Sequence, residues 1–473
     1  MPSKSFRPTW SVVVALLAAA GCIDERVVYE DVRFPSLPAG AASYIGYSDE
    51  AAKRTVCGNC HVGQQSDWAE TAHADAWATL QESGHAQAFC EGCHTVGSLG
   101  NASSEPGGFE TTRSSRYHDV QCESCHGAGL LHIENPDATQ PLAPLAVGTE
   151  LTLGCGQCHS GAHHPFVDEW VQSGHGSVQT SAAGRPECQA CHTGENALQS
   201  WGVRAEYLEK IDVLEGGAHL PITCGVCHDP HDRTNPAQLR FPIDIPSEEE
   251  NLCMKCHHKR GQPDPTTFRG PHSPEGPVLL GYAGWFPPSF EFTGGEIIAT
   301  HGTERNPRLC AGCHVNAFTV TDPATGDVQF RATGHLFKAV PCLDASGIPT
   351  TGDCEITART FRSCVDAACH ASEADARGAM VLAEQRAADL VVVLGALLAQ
   401  VPADEFDNTD ARYTTAEGSR FNMQLAAYPG SAIHNPFLIE SLLIASIRQI
   451  ESDYGLVAGS RVSRVPIFAP ALR

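Results

Sequence analysis

The chain has 473 residues, 55 acidic against 31 basic side chains, and a formal net charge of −24. That balance argues against nucleic acid as a partner and suits cationic partners, or a soluble protein kept apart by repulsion. Apolar content is ordinary, which excludes a disordered chain, yet 21 cysteines, 23 histidines and only 4 methionines depart far from average usage.

The amino terminus reads as an export signal. Lys4 and Arg7 form a basic start, the apolar run "WSVVVALLAAA" follows, and "GC" stands at 21–22. Residues 1–21 are expected to be a lipoprotein-type signal peptide with Cys22 as the lipidated first residue, although Ala19 stands where such a site usually has Leu. An ordinary signal peptide cut nearby is the alternative. Acyl chains on Cys22 would anchor the protein without a spanning helix. Residues 22–50 are then expected to be a tether. "LVVVLGALLAQV" at 390–401 is too short to cross a bilayer and reads as a buried helix.

Residues 51–260 are crowded with one pattern, Cys-x-x-Cys-His. It stands at Cys57/Cys60/His61, Cys90/Cys93/His94, Cys122/Cys125/His126, Cys155/Cys158/His159, Cys188/Cys191/His192, Cys224/Cys227/His228 and Cys253/Cys256/His257. An eighth copy, Cys310/Cys313/His314, lies in the second region, 261–371. The pattern is the attachment signature of c-type haem. Two thiols add to the vinyl groups, and the adjacent imidazole reaches the iron. A thioredoxin-like redox pair needs a βαβ context that the sequence lacks. Zinc sites would not require the histidine at the same place each time. The first five copies recur at intervals of 33, 32, 33 and 33 residues, and later intervals grow irregular.

"FRSCVDAACH" at 361–370 spaces its cysteines more widely. Cys364, Cys369 and His370 are expected to form a ninth haem site, with a disulfide as the other reading. Cys342 and Cys354 are not followed by histidine, and in an exported chain are expected to form a disulfide. The cofactor is therefore haem c, nine copies expected and eight at minimum.

Each iron has a second axial face. With methionine so scarce, histidine must dominate it, so the ligation is expected to be mostly bis-histidine and closed to substrate. His73 in "DWAETAH" and His175 in "EWVQSGH" share a setting, and Trp68, His73, Trp77 and Leu80 fit one helical face capped by Ser66 or Asp67. His132 and His231 follow their own motifs too closely to reach the far side of the same haem and are expected to serve a neighbour. His85, His118, His219, His272, His301 and His335 are further candidates. His163, His164 and His258 adjoin other histidines, and at most some of them bind iron. His434 precedes a helix with Asn435 as its cap and Pro436 as its first residue. A histidine on an ordinary packed surface is the competing reading for each.

Residues 372–473 carry no attachment motif. Helical periodicity runs from about 372 to 400, then through 415–427 and 436–454. The fold class expected is mainly α with extensive loops and little β-structure, organised around a chain of packed haems.

The phrases "VQCESCHGAGLLH", "EWVQSGH", "ITCGVCHDPH", "PHSPEGP" and "IHNPF" resemble the large bacterial multihaem c-type cytochromes. These include the hydroxylamine oxidoreductase and pentahaem nitrite reductase superfamily and membrane-associated electron-transfer cytochromes. The resemblance implies closely packed haems forming a wire, in periplasmic or extracellular respiratory electron transfer at the periplasm or outer membrane. Redox proteins would be the partners on both sides. Two alternatives stand beside this electron carrier: an oxidoreductase acting on a small nitrogen or sulfur compound at one open haem, and a subunit of a cytochrome filament. The Cys-x-x-Cys-Lys variant that marks the active haem of the nitrite reductases does not occur, and nothing singles out a tyrosine for the cross-link of the hydroxylamine oxidoreductases.

Overall fold

The computed structural model describes residues 43–101, 106–137, 141, 143, 154–203, 219–288, 290, 297–366, 369–410, 412–459, 463, 464 and 467. The signal segment 1–21 and Cys22 lie outside them. Residues 40–473 belong to one compact unit, so the two haem-motif regions and the carboxy-terminal helices are not separate bodies. Among the described residues helices dominate, and the strands pair as three two-stranded antiparallel ladders.

The expected tether ends earlier than residue 50. Tyr44, Ile45 and Tyr47 are buried, and β1 (Tyr47–Asp49) pairs with β2 (Arg54–Thr55). A carboxylate explains this. Ile45 N–H and Gly46 N–H donate to the fully buried Glu123 side chain at 3.0 and 2.8 Å, and Gly129 N–H donates to it at 2.8 Å. Burial pushes the Glu123 carboxyl up to about 7, against the opposing pull of those three N–H donors. The incoming chain is thus strapped to the third attachment motif.

The expected continuous helix through Trp68, His73, Trp77 and Leu80 is broken. α1 (Val62–Trp68) ends, a 3-10 turn covers Ala72–Asp75, and α2 (Ala76–Glu82) follows. Neither Ser66 nor Asp67 caps a helix. The break sits at Thr71, whose backbone is extended and whose hydroxyl donates to Trp68 O at 2.8 Å. It leaves the His73 carbonyl free to accept from Val120 N–H at 3.1 Å.

The carboxy-terminal helices stand where periodicity places them. They are α4 (Glu373–Leu398), α5 (Thr415–Ala427) and α6 (Pro436–Tyr454), with α3 (Phe166–Trp170) earlier in the chain. Leu390, Leu394, Leu397, Leu425, Leu438, Leu442, Leu443 and Ile447 form the largest apolar core among the described residues. α5 carries a capping box between Thr414 and Glu417. Within the core Arg386 Nε donates to Glu440 Oε1 at 2.7 Å. Asn435 caps α6 through its Oδ1, while its Nδ2 donates to the carbonyls of Val278 and Ile297. One side chain therefore caps the helix and pins it to the segment before the eighth motif.

Replacing Asn435 by Ala removes a cap and leaves two buried carbonyls short of a donor. Asn435→Ala is expected to cost about 2–4 kcal/mol, read as a lowered midpoint in thermal or denaturant unfolding of the holoprotein; an unchanged midpoint would contradict the pinning role.

Candidate haem-binding sites

The eight Cys-x-x-Cys-His motifs each fold into a tight helical or hydrogen-bonded turn. Cysteines at i and i+3 and the histidine at i+4 then share one face. The turn is closed by the histidine N–H donating to the first cysteine carbonyl: His61 to Cys57 at 2.9 Å, His159 to Cys155 at 2.8 Å, His228 to Cys224 at 2.8 Å and His257 to Cys253 at 3.1 Å. The widened motif keeps this bond, His370 N–H donating to Cys364 O at 3.1 Å. Cys364 and Cys369 stand outside the disulfide that joins Cys342 and Cys354, which ties the strand Cys342–Leu343 to the loop beyond Pro349–Thr350. Cys313 lies within electrostatic reach of Cys364 and Cys369, and Asn316 Nδ2 donates to Asp366 Oδ2 at 3.2 Å, so the eighth and ninth motifs are neighbours.

Two imidazoles bound on opposite faces of one iron, each nitrogen about 2 Å from it, hold their ring centroids about 6 Å apart. Eight motif histidines face a second histidine at that separation. His61 faces His132 at 6.2 Å, His126 faces His231 at 6.1 Å, His159 faces His73 at 6.1 Å and His192 faces His272 at 6.1 Å. His228 faces His335 at 6.4 Å, His257 faces His175 at 6.3 Å, His314 faces His434 at 6.1 Å and His370 faces His301 at 6.5 Å. In every pair one member belongs to an attachment motif and the other does not. The described residues hold no group of three or more His, Cys, Asp or Glu side chains placed around one metal ion, as a zinc site would require.

Second interactions set which nitrogen points inward. A carbonyl oxygen accepts only, so an Nδ1 facing one must carry the proton, leaving Nε2 its lone pair. His94, His126, His228 and His314 donate in this way to Ala76, Pro141, Ala237 and Phe337 at 2.7, 2.8, 2.8 and 2.9 Å. His301 does the same to Ile433 at 2.8 Å. His257 Nδ1 lies 3.5 Å from Glu275, whose carboxylate raises the imidazole pKa. Burial, reinforced by neighbouring imidazoles, drops His159, His175 and His434 to about 4, and burial and His228 do the same to His335. All four are neutral near pH 7, the form that has a lone pair for iron. Nδ1 of His434 is buried without a hydrogen-bond partner. The donor set therefore fits haem iron.

His85, His118 and His219 are not brought opposite a motif histidine. His85 is exposed, His118 stacks on Trp77 at 4.0 Å, and His219 Nδ1 contacts Glu195 at 2.7 Å. His258 Nδ1 is occupied by Met254 O at 2.6 Å.

Sequence reasoning missed the residues that aim the distal histidines. Buried Glu169 accepts from Thr333 N–H at 2.9 Å, Thr333 hydroxyl at 2.7 Å and His335 N–H at 2.7 Å. A carboxylate buried at the start of "EWVQSGH" thus sets a loop 166 residues away. Its neighbour Trp170 donates to Ile222 O at 2.8 Å, and Trp68 donates to Val120 O at 2.9 Å, each spanning 52 residues. Both acceptors stand two residues before an attachment motif. The signal was the shared acid-Trp pair, whose meaning needed the partner strand of chain.

Residues 56–127 match the family model for cytochrome c554 and c-prime, and residues 219–262 match the model for the doubled CXXCH motif. The chain is a multihaem c-type cytochrome that binds haem c covalently and takes part in electron transfer. Neither a curated protein nor a solved structure matches it.

If each facing pair brackets one iron, His175→Ala is expected to turn one haem per molecule from low-spin to high-spin in the oxidised protein. Electron paramagnetic resonance checks this, and a spectrum without a new high-spin signal would break the pairing of His175 with His257.

Proposed function

We propose that this cytochrome passes electrons along nine haems, eight of them clamped between two imidazoles. The eight facing pairs are the observation that carries this reading. Six-coordinate iron exchanges electrons without binding substrate, and the protein's task is to fix distance, orientation and potential.

The proximity of cysteines of different motifs supports an order. The sulfurs of Cys57 and Cys122, Cys93 and Cys158, Cys155 and Cys224, Cys191 and Cys256, and Cys253 and Cys310 lie within electrostatic reach of each other. Cys125 feels Cys155, and Cys256 feels Cys227. Together with the Cys313 neighbourhood, these links string the first, third, fourth, sixth, seventh, eighth and ninth motifs into a trunk. The second motif branches from the fourth, and the fifth from the seventh. Cys60 and Cys369, at the two ends of that trunk, are exposed.

Redox proteins would meet the two ends, and nucleic acid plays no part. Export, and a lipid anchor on Cys22 at the periplasmic or outer membrane, complete the proposal; they are supported by the leader-like amino terminus. Among the described residues no helix is long and apolar enough to cross a membrane. A second reading, chemistry on a small nitrogen or sulfur compound, is favoured by one observation: the ring of His94 faces no second imidazole at the spacing of the other eight.

Intact mass with a pyridine haemochrome assay is expected to give nine haems, falling to eight in the Cys364→Ser/Cys369→Ser double variant. A stoichiometric reductant should reduce the whole set and a single outer acceptor should drain it. A fraction that stays reduced would argue against a connected chain, and steady nitrite or hydroxylamine turnover would replace conduction by catalysis.

A further inference from the structure

All 23 histidines lie among the described residues, and eight pairs together with His94 account for 17 of them. His85, His118, His163, His164, His219 and His258 remain. The question is which of these serves the haem held by Cys90 and Cys93.

An internal repeat narrows the choice. Trp68, His73, Val120 and Cys122 recur as Trp170, His175, Ile222 and Cys224, each displaced by 102 residues. The cross-chain tryptophan bond is the same in both copies. So are the thiol contacts: first motif to third as fourth to sixth, and second to fourth as fifth to seventh. The second motif therefore corresponds to the fifth. The fifth motif's His192 faces His272, which stands in the chain that follows the seventh motif. By the same relation, His94 should face a histidine in the chain that follows the fourth motif.

That chain holds His163 and His164. It is also where the two copies differ in length. Seven residues separate His61 from Trp68, and eleven separate His159 from Trp170, so the second copy carries four extra residues. They form an exposed turn, His164 N–H donating to Gly161 O at 3.0 Å, with Gly161 at φ 81°. Ala162 O accepts from Arg331 N–H at 3.3 Å, which docks the turn on β4 (Val328–Ala332). After burial, the charge of His94 is the strongest influence on His164, so the two rings are within electrostatic reach.

We propose that His164 is the sixth ligand of the haem at Cys90, Cys93 and His94, and that, carried by an exposed inserted turn, it is the displaceable one. The eight other distal histidines face their partners already; His164 must be brought in by its loop. This haem is then the molecule's site for small exogenous iron ligands, of the class of carbon monoxide and cyanide. The inference rests on the haem assignments above and deepens the reading of the second motif.

The test uses the full holoprotein with cyanide and carbon monoxide as probes. The wild type is expected to be low-spin throughout and to bind one equivalent of cyanide per nine haems, slowly. His164→Ala should show one high-spin haem, bind both probes at least tenfold faster, and return to low-spin on adding imidazole. His163→Ala should behave as the wild type. An unaltered haemochrome count shows that a variant carries all its haems, and an unchanged midpoint in thermal unfolding shows that it is folded. A wild type already containing a high-spin haem, or a His164→Ala protein indistinguishable from the wild type, overturns the assignment. So does a His163→Ala protein that opens the site instead. Failure here leaves whole-set reduction and reoxidation intact, whereas failure of conduction shows as haems that do not equilibrate.

Discussion

The facing of one imidazole by another is the constraint on which the rest depends, and in the proposed function it is an iron between the two rings that imposes it. It fixes two ring centroids about 6 Å apart and admits little play. In this chain the two points come from remote segments: His228 from His335, His314 from His434, His159 from His73. Closing loops of that length costs conformational entropy that grows only slowly with length. One strong iron bond pair can therefore hold segments that side-chain packing alone would leave apart. The apolar clusters around the motifs are small, such as Ala197, Leu198 and Val226, while the extensive core lies in the motif-free carboxy-terminal helices. In the motif-rich part the macrocycles themselves must be the core.

This division of labour explains the polar anchors. A segment that cannot rely on apolar burial needs directed bonds to place a histidine to within a few tenths of an ångström. Glu169 does this for His335 and Glu123 does it for the entering chain. Trp68 and Trp170 do it with indole N–H groups aimed at carbonyls just ahead of a motif. In the carboxy-terminal part Asn435 performs the same task by helix capping, one residue after His434. Losing a buried charged acceptor of this kind costs more than the net worth of a single hydrogen bond, because its donors are left unsatisfied.

Much of this was legible in the sequence, and for a physical reason. Thioether attachment demands a local pattern, since two cysteines and a histidine must share one helical turn. The long amphipathic helices are legible for a similar reason, as is the Asn435–Pro436 start of the last one. The eight histidines that face a motif histidine were all among those singled out, but so were His85, His118 and His219, and nothing local separates the two groups. Pairing is a property of tertiary placement, and the sequence around His118 does not say that Trp77 will cover it. The continuous helix expected at 66–80 failed because Thr71 breaks it to free a carbonyl for Val120. The tether expectation failed at its last residues, 43–50, because Glu123, far along the chain, captures residues 45 and 46.

Branching gives the arrangement its last logic. In an unbranched wire, an iron that loses a ligand changes spin and coordination on the only path, and transfer through it must wait for reorganisation. On the proposed wiring the second motif hangs from the fourth through Cys93 and Cys158, while the third reaches the fourth independently through Cys125 and Cys155. An event at the second motif therefore draws on the trunk without interrupting it. The same separation relaxes the demand on its surroundings: a trunk haem needs both imidazoles held rigidly, whereas a branch haem tolerates a ligand carried on a surface turn. The four extra residues that bear His163 and His164 sit beside a branch, the one kind of position where a loosely held ligand does not weaken conduction.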